Sequence, residues 1–305
     1  MRVGLIDVDG HNFPNLPLMK ISAHHKAAGD SVEWYEPLFS GHMDRVYMSK
    51  VFTFTPDYEY CIDADEIIKG GTGYNYPDGG QQLPDEIEHI YPDYTIYYDR
   101  IPETRHTAYG FLTRGCPRGC DFCIVEKKEG RAARKVADLS EFWNGQKNIV
   151  LLDPNMFACK EWRELSDQLI NSGAWVDFSQ GCDIRIMTQE KAEYIKRMKI
   201  KRIHFAWDRY EDKEKIIPKF KEFQEITGWE RRKMGVYVLC NFNTTFEQDL
   251  ERVYTLRDLG YAPYVMLYDK QNIPAGHRLK HLQRWVNNRI IFNSCKRFED
   301  FDIRK

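Results

Sequence analysis

The first hundred residues alternate between short apolar runs and polar turns, which predicts a small α/β unit. The run RVGLIDV (2–8) is strand-like, and a helical pattern through Leu18, Ile21 and His25 follows it and ends near Gly29. The segments SVEWYEP and DRVYMSKVF predict further strands over 31–37 and 44–52. DEIIKGG then leads into a glycine-rich turn, so this unit ends near residue 76.

From Tyr109 onward, short β-branched or aromatic runs recur with gaps long enough for helices. The pattern predicts strands over 109–115, 148–154, 174–181, 201–208, 235–242 and 262–269. One helix is signalled by Thr244-Thr-Phe-Glu247, a capping box, and is closed by Gly260. Six successive strand–helix units indicate a parallel sheet or an open barrel, in which chemistry gathers at the carboxyl ends of the strands.

Composition and the N-terminal sequence lead us to expect a cytoplasmic protein. Of 305 residues, 42% are hydrophobic, enough for a sizeable core, and no apolar run approaches the 18 residues of a membrane span. The N-terminus reads as a strand and not as a signal peptide. The net charge of −2 excludes an obvious polybasic nucleic-acid or membrane binder. We therefore expect the eight cysteines to be reduced.

Three of these cysteines, Cys116, Cys120 and Cys123, lie within eight residues, in TRGCPRGCDFC. A disulfide framework needs an even number of cysteines and an oxidising compartment. A structural zinc site usually has four ligands in paired C-x2-C units, and here no second pair follows. A cubane [4Fe-4S] cluster has four irons, so three cysteines would leave one coordination position open to a substrate or cosubstrate. A reduced cysteine-rich loop and an unusual zinc site remain alternatives.

This C-x3-C-x2-C spacing, with Phe122 before the last cysteine, directly follows the first of the six predicted strands. It resembles the cluster loop of the radical S-adenosylmethionine (SAM) superfamily, and the resemblance covers roughly residues 105–293. It implies a partial (β/α)6 TIM-like barrel with Cys116, Cys120 and Cys123 as cluster ligands. The resemblance further implies that the unique iron chelates SAM and that one-electron reduction cleaves it. The 5′-deoxyadenosyl radical that forms then abstracts hydrogen from a substrate, with reduced flavodoxin or ferredoxin as the electron donor.

The same resemblance assigns cosubstrate contacts to the predicted strand ends. Asp153 and Asn155 follow the second strand, where the superfamily commonly has a glycine-rich acidic segment; this sequence departs from that pattern, and a helix N-cap is an equal alternative. After the third strand, in FSQGCDIR, Arg185 is expected to pair with the SAM carboxylate and Gln180 or Asp183 to bind the ribose hydroxyls. The alternative is an ion pair between Asp183 and Arg185.

Three further strand ends complete the predicted cavity. Asp208, Asn241 and Tyr268 are predicted to line it as a group, with caps and core packing as their structural alternatives. Cys182 and Cys240 also fall near strand ends, and we hypothesise that one of them donates a hydrogen atom to a substrate radical. The remaining cysteines, Cys61, Cys159 and Cys295, are scattered and predict buried thiols.

The predicted domains are a small α/β unit over 1–76, a linker over 77–104, the barrel over 105–293 and a tail over 294–305. Radical enzymes with an α/β domain before the barrel often bind cobalamin there through D-x-H-x-x-G. Here Asp9 and His11 match, but Pro14 stands where glycine belongs, so cobalamin is disfavoured although possible.

The C-terminal stretch from Gly276 mixes basic and aromatic residues. It allows a second function, a non-catalytic metal-stabilised protein that contacts nucleic acid through this basic face. The favoured interpretation is an amphipathic helix that buries Leu279, Leu282 and Trp285/Val286. The substrate and the fate of SAM are not encoded in any recognisable motif.

Overall fold

A computed structural model describes residues 1–10 and 12–301. The fold is mixed α/β with parallel sheets, as the sequence predicts, and the chain divides after Leu152 into two compact units. His11, the proposed cobalamin-motif histidine, lies outside the described residues. The sequence-predicted domain boundaries stay predictions.

The first unit begins with a four-stranded parallel sheet in the order β2-β1-β3-β4. Its strands are β1 (Arg2–Asp7), β2 (Ser31–Trp34), β3 (Met43–Ser49) and β4 (Ala64–Gly70). Leu5 of the central strand β1 lies between Trp34 and Tyr47 of its two neighbours. The chain therefore reverses direction across the sheet between β1 and β3, the place where open α/β sheets commonly bind ligands.

Helix α1 (Leu16–Ala27) covers one face of this sheet. Asn15 caps it by accepting a hydrogen bond from the Leu18 N–H at 3.2 Å, and Leu18 packs with Val3 and Leu5. Gly29 follows the helix at φ +84°, as the predicted C-terminal turn requires. The apolar pattern of this segment thus specifies both the helix and its buried face.

The rest of the first unit carries short elements around one parallel strand pair. They are α2 (Asp85–Glu88), β5 (Thr107–Gly110), β6 (Thr113–Arg114), α3 (Val125–Glu129), β7 (Arg134–Lys135) and β8 (Asn148–Leu151). Strand β5 pairs in parallel with β8, and β6 pairs antiparallel with β7. The prediction of one strand over 109–115 is wrong, because β5 ends at Gly110 and the chain resumes only as the two-residue strand β6. The sequence after Gly110 is apolar enough to continue, but β6 turns to pair with β7.

The second unit is built on a four-stranded parallel sheet in the order β12-β11-β10-β9. Its strands are β9 (Trp175–Cys182), β10 (Lys199–Ala206), β11 (Met234–Cys240) and β12 (Ala262–Leu267). Its helices are α4 (Trp162–Ser172), α5 (Gln189–Arg197), α6 (Lys213–Thr227), α7 (Phe246–Asp258), α8 (Arg278–Asn287) and α9 (Arg289–Ser294). Phe205 of β10 packs its ring against Phe220 and Phe223 of α6, so the helical layer covers this side of the sheet. Among the helices described, none has the length and apolarity needed to cross a membrane.

Two helices test the sequence prediction in detail. The capping box exists but lies one residue later than predicted, with Thr245 as the N-cap and Gln248 as its partner. Both Thr244 and Thr245 can cap, and the fold selects the second. Helix α8 confirms the amphipathic interpretation, because it buries the four predicted residues Leu279, Leu282, Trp285 and Val286.

Candidate functional site

The cysteine loop, Cys116–Cys123, lies in the first unit between strand β6 and helix α3. The Cys116 N–H donates to the carbonyl of Gly130 at 3.2 Å, and the Cys123 N–H donates to the carbonyl of Cys120 at 2.9 Å. The three thiols are partly exposed, and none forms a disulfide. The loop therefore presents three reduced sulfur atoms on a backbone that is hydrogen-bonded at both ends.

Two glycines allow this backbone path. Gly115 has φ +86°, and a Cβ there would lie 2.2 Å from the carbonyl oxygen of Ala132. Gly119 has φ +56°, and a Cβ there would meet the Arg131 guanidinium at 2.4 Å and the Glu126 carboxylate at 2.6 Å. A larger residue at Gly115 would force the loop away from the Ala132 backbone, whereas at Gly119 the side chains of Arg131 and Glu126 would have to move.

The glutamate at the end of α3 ties the helix to the start of the cysteine loop. Glu129 accepts from the Arg114 guanidinium at 2.8 Å and from the Gly115 N–H at 3.0 Å, and its side chain is only 8% exposed. Burial and the Arg114 charge lower the pKa of Lys128 on the same helix. The start of the loop is thus tied to a short helix through the Glu129 carboxylate.

The donor chemistry of the loop suits a thiolate-bound metal centre. Thiolates are soft ligands that bind zinc and iron–sulfur clusters, and three of them match three irons of a [4Fe-4S] cluster. No group of three or more His, Cys, Asp or Glu side chains among residues 1–10 and 12–301 is arranged to hold a single metal ion. The residues present fit the cluster by donor type and number.

In the second unit, Asp183 and Arg185 follow strand β9, as the sequence predicts. Asp183 Oδ1 accepts from the Arg185 N–H at 3.0 Å and from its Nε at 2.7 Å. Arg185 Nη1 also donates to Asp212 Oδ2 at 3.0 Å. The ion pair that the sequence offered as an alternative is therefore present, and it holds the Arg185 guanidinium between two carboxylates.

Asp208 lies just past the end of strand β10. Burial raises the pKa of its carboxyl to about 6, although the nearby charges of Arg252 and Arg185 act to lower it. A carboxyl with such a pKa changes charge close to neutral pH. The ends of β9 and β10 therefore bring the Asp208 side chain, with its raised pKa, near the Arg185 guanidinium.

Asn241 and Tyr268 lie at the ends of the next two strands and contact each other. The Asn241 side-chain amide donates to the Tyr268 carbonyl at 3.2 Å, and the Tyr268 N–H donates to the Cys240 carbonyl at 3.0 Å. Asn241 has φ +67°, and the Tyr268 side chain is 42% exposed. The structure thus brings these two predicted cavity residues together at an exposed strand end.

Asp153, Asn155 and Gln180 occupy three different settings. Asp153 is 5% exposed and lies near enough to Cys182 for its charge to raise the pKa of that thiol. Asn155 is 2% exposed and precedes a 3-10 helix, Met156–Ala158, whose Ala158 N–H donates to the Asn155 carbonyl at 3.0 Å. Gln180 is exposed in an irregular part of β9. Their cosubstrate roles, like that of the half-buried Phe122, stay predictions.

Cys182 and Cys240 lie in the interior of the second unit, 4% and 0% exposed. Cys182 is opposite Phe205 in the sheet register, on the side covered by helices, and burial raises the pKa of both thiols. Both thiols are therefore enclosed in this structure. The hypothesis that one of them donates a hydrogen atom stays a prediction.

Asp9, the acidic residue of the cobalamin-like motif, binds the loop after β3. Its carboxylate accepts from the Val51 N–H at 2.5 Å, the Phe52 N–H at 3.3 Å and the Thr55 hydroxyl at 2.7 Å. These contacts lie at the β1/β3 reversal, where a ligand would be expected. Asp9 thus has a structural role there, and cobalamin binding stays a prediction.

Sequence reasoning missed a group of polar and aromatic residues on the sheet face opposite the helical layer. This polar sheet face is defined by Asp177, Arg202, His204, Tyr237 and Tyr264. Their only sequence signal is a charged or aromatic residue at alternate positions of otherwise apolar strands. Arg252 of α7, which is fully buried and donates to the Asp208 carbonyl, was also missed, because arginine is seldom fully buried.

Comparison with known proteins gives partial similarities. No family model matches the chain. The chain is 25% identical to a CDK5RAP1-like protein of Oryza sativa subsp. japonica in an alignment of length 167, which covers 47% of this chain and 27% of that protein. The crystal structure of Streptococcus suis SuiB is similar with a TM-score of 0.42 and 11% identity over 64% of this chain and 52% of that one. SuiB bound to S-adenosylmethionine gives a TM-score of 0.41 and 12% identity over 70% of this chain and 52% of that one.

Proposed function

We propose that this chain is a radical SAM enzyme whose [4Fe-4S] cluster is held by Cys116, Cys120 and Cys123. The observation that carries the proposal is the cysteine loop, in which three reduced, partly exposed thiols lie within eight residues. Helix α3 and Gly115 fix the path of the loop, so the three thiols belong to one short, hydrogen-bonded segment. A four-iron cluster with three protein ligands leaves one iron position open to a cosubstrate.

When bound, the cluster would supply the electron that cleaves SAM and yields a 5′-deoxyadenosyl radical for hydrogen abstraction from the substrate. The residues of this chain would hold the cluster and keep the cysteine loop in position. The three thiolates would bind three irons, and the glycines of the loop would keep the backbone close to the chain beneath it. The Arg114–Glu129 pair would keep α3 in place behind the cysteines.

We further propose that Arg185 pairs with the SAM carboxylate. Its guanidinium is 29% exposed and has geometry suited to a carboxylate, while Asp183 and Asp212 fix its orientation. Asp208, with its pKa near neutrality, and the exposed ring of Tyr268 are the strand-end candidates for contacts to the rest of the cosubstrate. Phe122, Asp153, Asn155, Gln180, Asp183 and Asn241 complete the proposed set.

The remaining parts of the proposal follow from the same resemblance. The strand–helix succession is proposed to form a partial (β/α)6 barrel preceded by the small α/β domain. Reduced flavodoxin or ferredoxin is the proposed electron donor, and the cytoplasm, which keeps thiols reduced, is the proposed location. The iron–sulfur assignment differs from a zinc-stabilised binding protein in its iron and sulfide content, which is directly measurable.

The test is anaerobic reconstitution of the full chain with iron and sulfide, followed by SAM and dithionite. We expect about four irons and four sulfides per chain, and 5′-deoxyadenosine in the products. Cys120→Ser should lose both the cluster and the product. Cys295→Ser, a partly exposed cysteine outside the loop, is the matched control and should retain them.

A second readout does not depend on turnover. Addition of SAM should change the electron paramagnetic resonance spectrum of the reduced cluster in the wild type. Arg185→Gln should keep the cluster but need at least roughly tenfold more SAM for the same change, because a charged hydrogen bond is lost. Zinc uptake without iron or sulfide would reject the proposal, and so would a SAM response that survives in the Cys120→Ser variant.

A further inference from the structure

The polar sheet face contains a charged pair that the strand register places side by side. Strand β10 carries one extra residue at Lys201, so that Ile200 pairs with Val176 but Arg202 pairs with Asp177. Without this bulge, Lys201 would stand beside Asp177 and Arg202 would point into the helical layer. The irregularity therefore places Asp177 and Arg202 opposite each other in the register, on the face away from the helices.

The two charged side chains have buried atoms without partners. Asp177 Oδ1 and Arg202 Nε are buried and make no hydrogen bond to the residues that the structure describes. Burial raises the pKa of the Asp177 carboxyl, while the positive charges of Lys201 and Arg202 lower it. A buried polar atom without a partner is costly and calls for an explanation, of which a bound ligand is one. Here they offer one acceptor and one donor on adjacent strands.

Aromatic rings adjoin this pair. His204 and Tyr237 stack with ring centroids 4.9 Å apart and planes at 7°, and Tyr264 meets Tyr237 edge-on at 5.9 Å. The Tyr237 hydroxyl donates to the Ser179 carbonyl at 2.9 Å, which holds its ring across the sheet. Tyr264 is 44% exposed, so the aromatic surface is accessible. Flat rings pack well on such a surface.

Because Gly235 has no side chain, it leaves room for the His204 ring of this stack. A Cβ at this position would lie 2.6 Å from Cδ2 of His204 and 3.5 Å from Nε of Arg202. Burial and the Arg202 charge lower the pKa of His204 to about 4, so its ring is neutral at pH 7. Arg202 and Asp177 are then the charged groups of the polar sheet face.

We propose that the polar sheet face binds the lactam edge of a flat heterocycle, the adjacent C=O and N–H that uracil and guanine carry. Arg202 Nε donates to the ring carbonyl, Asp177 Oδ1 accepts from the ring N–H, and the ring packs against Tyr237 and Tyr264. Identifying this ring as the substrate rests on the proposed function; the binding itself does not. The flat aromatic surface favours a ring over an open-chain amide.

The experiment is isothermal titration calorimetry of the full chain, without cluster, against uridine. N3-methyluridine keeps the ring but lacks the N–H, and adenosine and cytidine lack the lactam edge. We expect uridine to bind and each of the other three to bind at least roughly tenfold more weakly. This comparison needs no variant, so misfolding cannot mimic the result.

Variants then test the two residues. Arg202→Lys keeps the charge but loses the planar donor, and it should weaken uridine binding at least roughly tenfold. Lys201→Ala removes the neighbouring positive charge and should change binding by less than about twofold, since that exposed amine is screened by solvent. Asp177→Leu should remove the preference for uridine over N3-methyluridine.

Several outcomes would overturn the assignment. They are no binding of uridine, equal binding of N3-methyluridine, unchanged binding by Arg202→Lys, and preferred binding of the open-chain amide N-acetylglycinamide. A variant with Cys116, Cys120 and Cys123 all replaced by Ala should bind uridine as the wild type does. A failed 5′-deoxyadenosine assay with intact uridine binding would reject the proposed function and leave this inference standing.

Discussion

The Arg252 guanidinium donates to the Asp249 carboxylate at 2.5 Å, one helical turn away on α7, and neither side chain is more than 1% exposed. Arg252 also donates to the carbonyls of Trp207 at 2.6 Å, Asp208 at 3.1 Å and Leu239 at 2.7 Å. One buried side chain therefore joins the ends of β10 and β11 to the helix behind them. The strand ends that carry Asp208 and Asn241 depend on this link.

Replacing Arg252 should destabilise the protein strongly. Arg252→Leu leaves the Asp249 carboxylate and three carbonyl oxygens without their donor, which should cost about 3–5 kcal/mol of unfolding free energy. Urea denaturation followed by circular dichroism measures the difference. The control is Arg232→Leu, whose partner Glu230 and own side chain are each more than 70% exposed, and which should cost less than about 1 kcal/mol. Similar losses in the two variants would contradict the role of the buried link.

Asp208 should make the protein less stable as the pH rises. Its folded pKa of about 6 lies above the ordinary value of 3.8, so between these pH values the unfolded chain has lost a proton that the folded chain keeps. The stabilising contribution is complete below pH 4 and is lost by pH 6 and above, on the order of 3 kcal/mol at about 1.4 kcal/mol per pKa unit. As the pH rises from 4 to 6.5, the unfolding free energy of Asp208→Asn should therefore increase relative to that of the wild type. A constant difference across this range, measured by urea denaturation, would reject the raised pKa.

His204 should act in the opposite direction. Its pKa is lowered to about 4 by burial and by the Arg202 charge, so the folded protein resists a proton that the unfolded chain accepts below about 6.5. Its contribution to stability is present above pH 6.5 and is lost as the pH falls toward 4. Nuclear magnetic resonance titration, with assignment from His204→Phe, should show the imidazole still neutral at pH 5.

His42 offers an internal comparison for that titration. Hydrogen bonds to Asp63, together with Asp65, raise the pKa of this exposed imidazole above its usual value. Its resonance should therefore titrate at a higher pH than that of His204. A shared midpoint for the two would contradict the opposite pKa shifts of His204 and His42.

Gly115 should be essential to the cysteine loop for steric reasons. In Gly115→Ala, the new Cβ would lie 2.2 Å from the Ala132 carbonyl oxygen, and the loop must shift. Gly130→Ala is the matched control, because Gly130 has a similar φ of +89° but, among the described residues, no atom within 4 Å of where its Cβ would lie. We expect iron content after reconstitution to fall at least severalfold in Gly115→Ala and less in Gly130→Ala, where backbone strain of about 1–3 kcal/mol at φ +89° and ψ 174° is the only cost. Equal iron contents would remove the steric argument.

Much of the local structure is predictable because it depends on neighbouring residues. The alternation of apolar runs gives the strands of both units to within a few residues, with the exception of the segment after Gly110. The spacing of Leu279, Leu282 and Trp285 predicts the buried face of α8, since side chains three and four residues apart share one side of a helix. The cysteine spacing likewise identifies the candidate metal ligands without any structure.

Tertiary structure alone decides the rest. Thr245 caps α7 instead of Thr244, a choice that two adjacent threonines leave open in the sequence. Cys182 points into the core and Arg202 stands beside Asp177, because one bulge in each of two strands changes which side the following residues face. A sequence shows which residues are polar, but the register of a strand against its neighbours determines which of them meet. The sequence by itself therefore determined the elements and the cysteine loop, whereas the partners of Arg185 and Arg252 and the register neighbour of Asp177 were decided by strand register and burial.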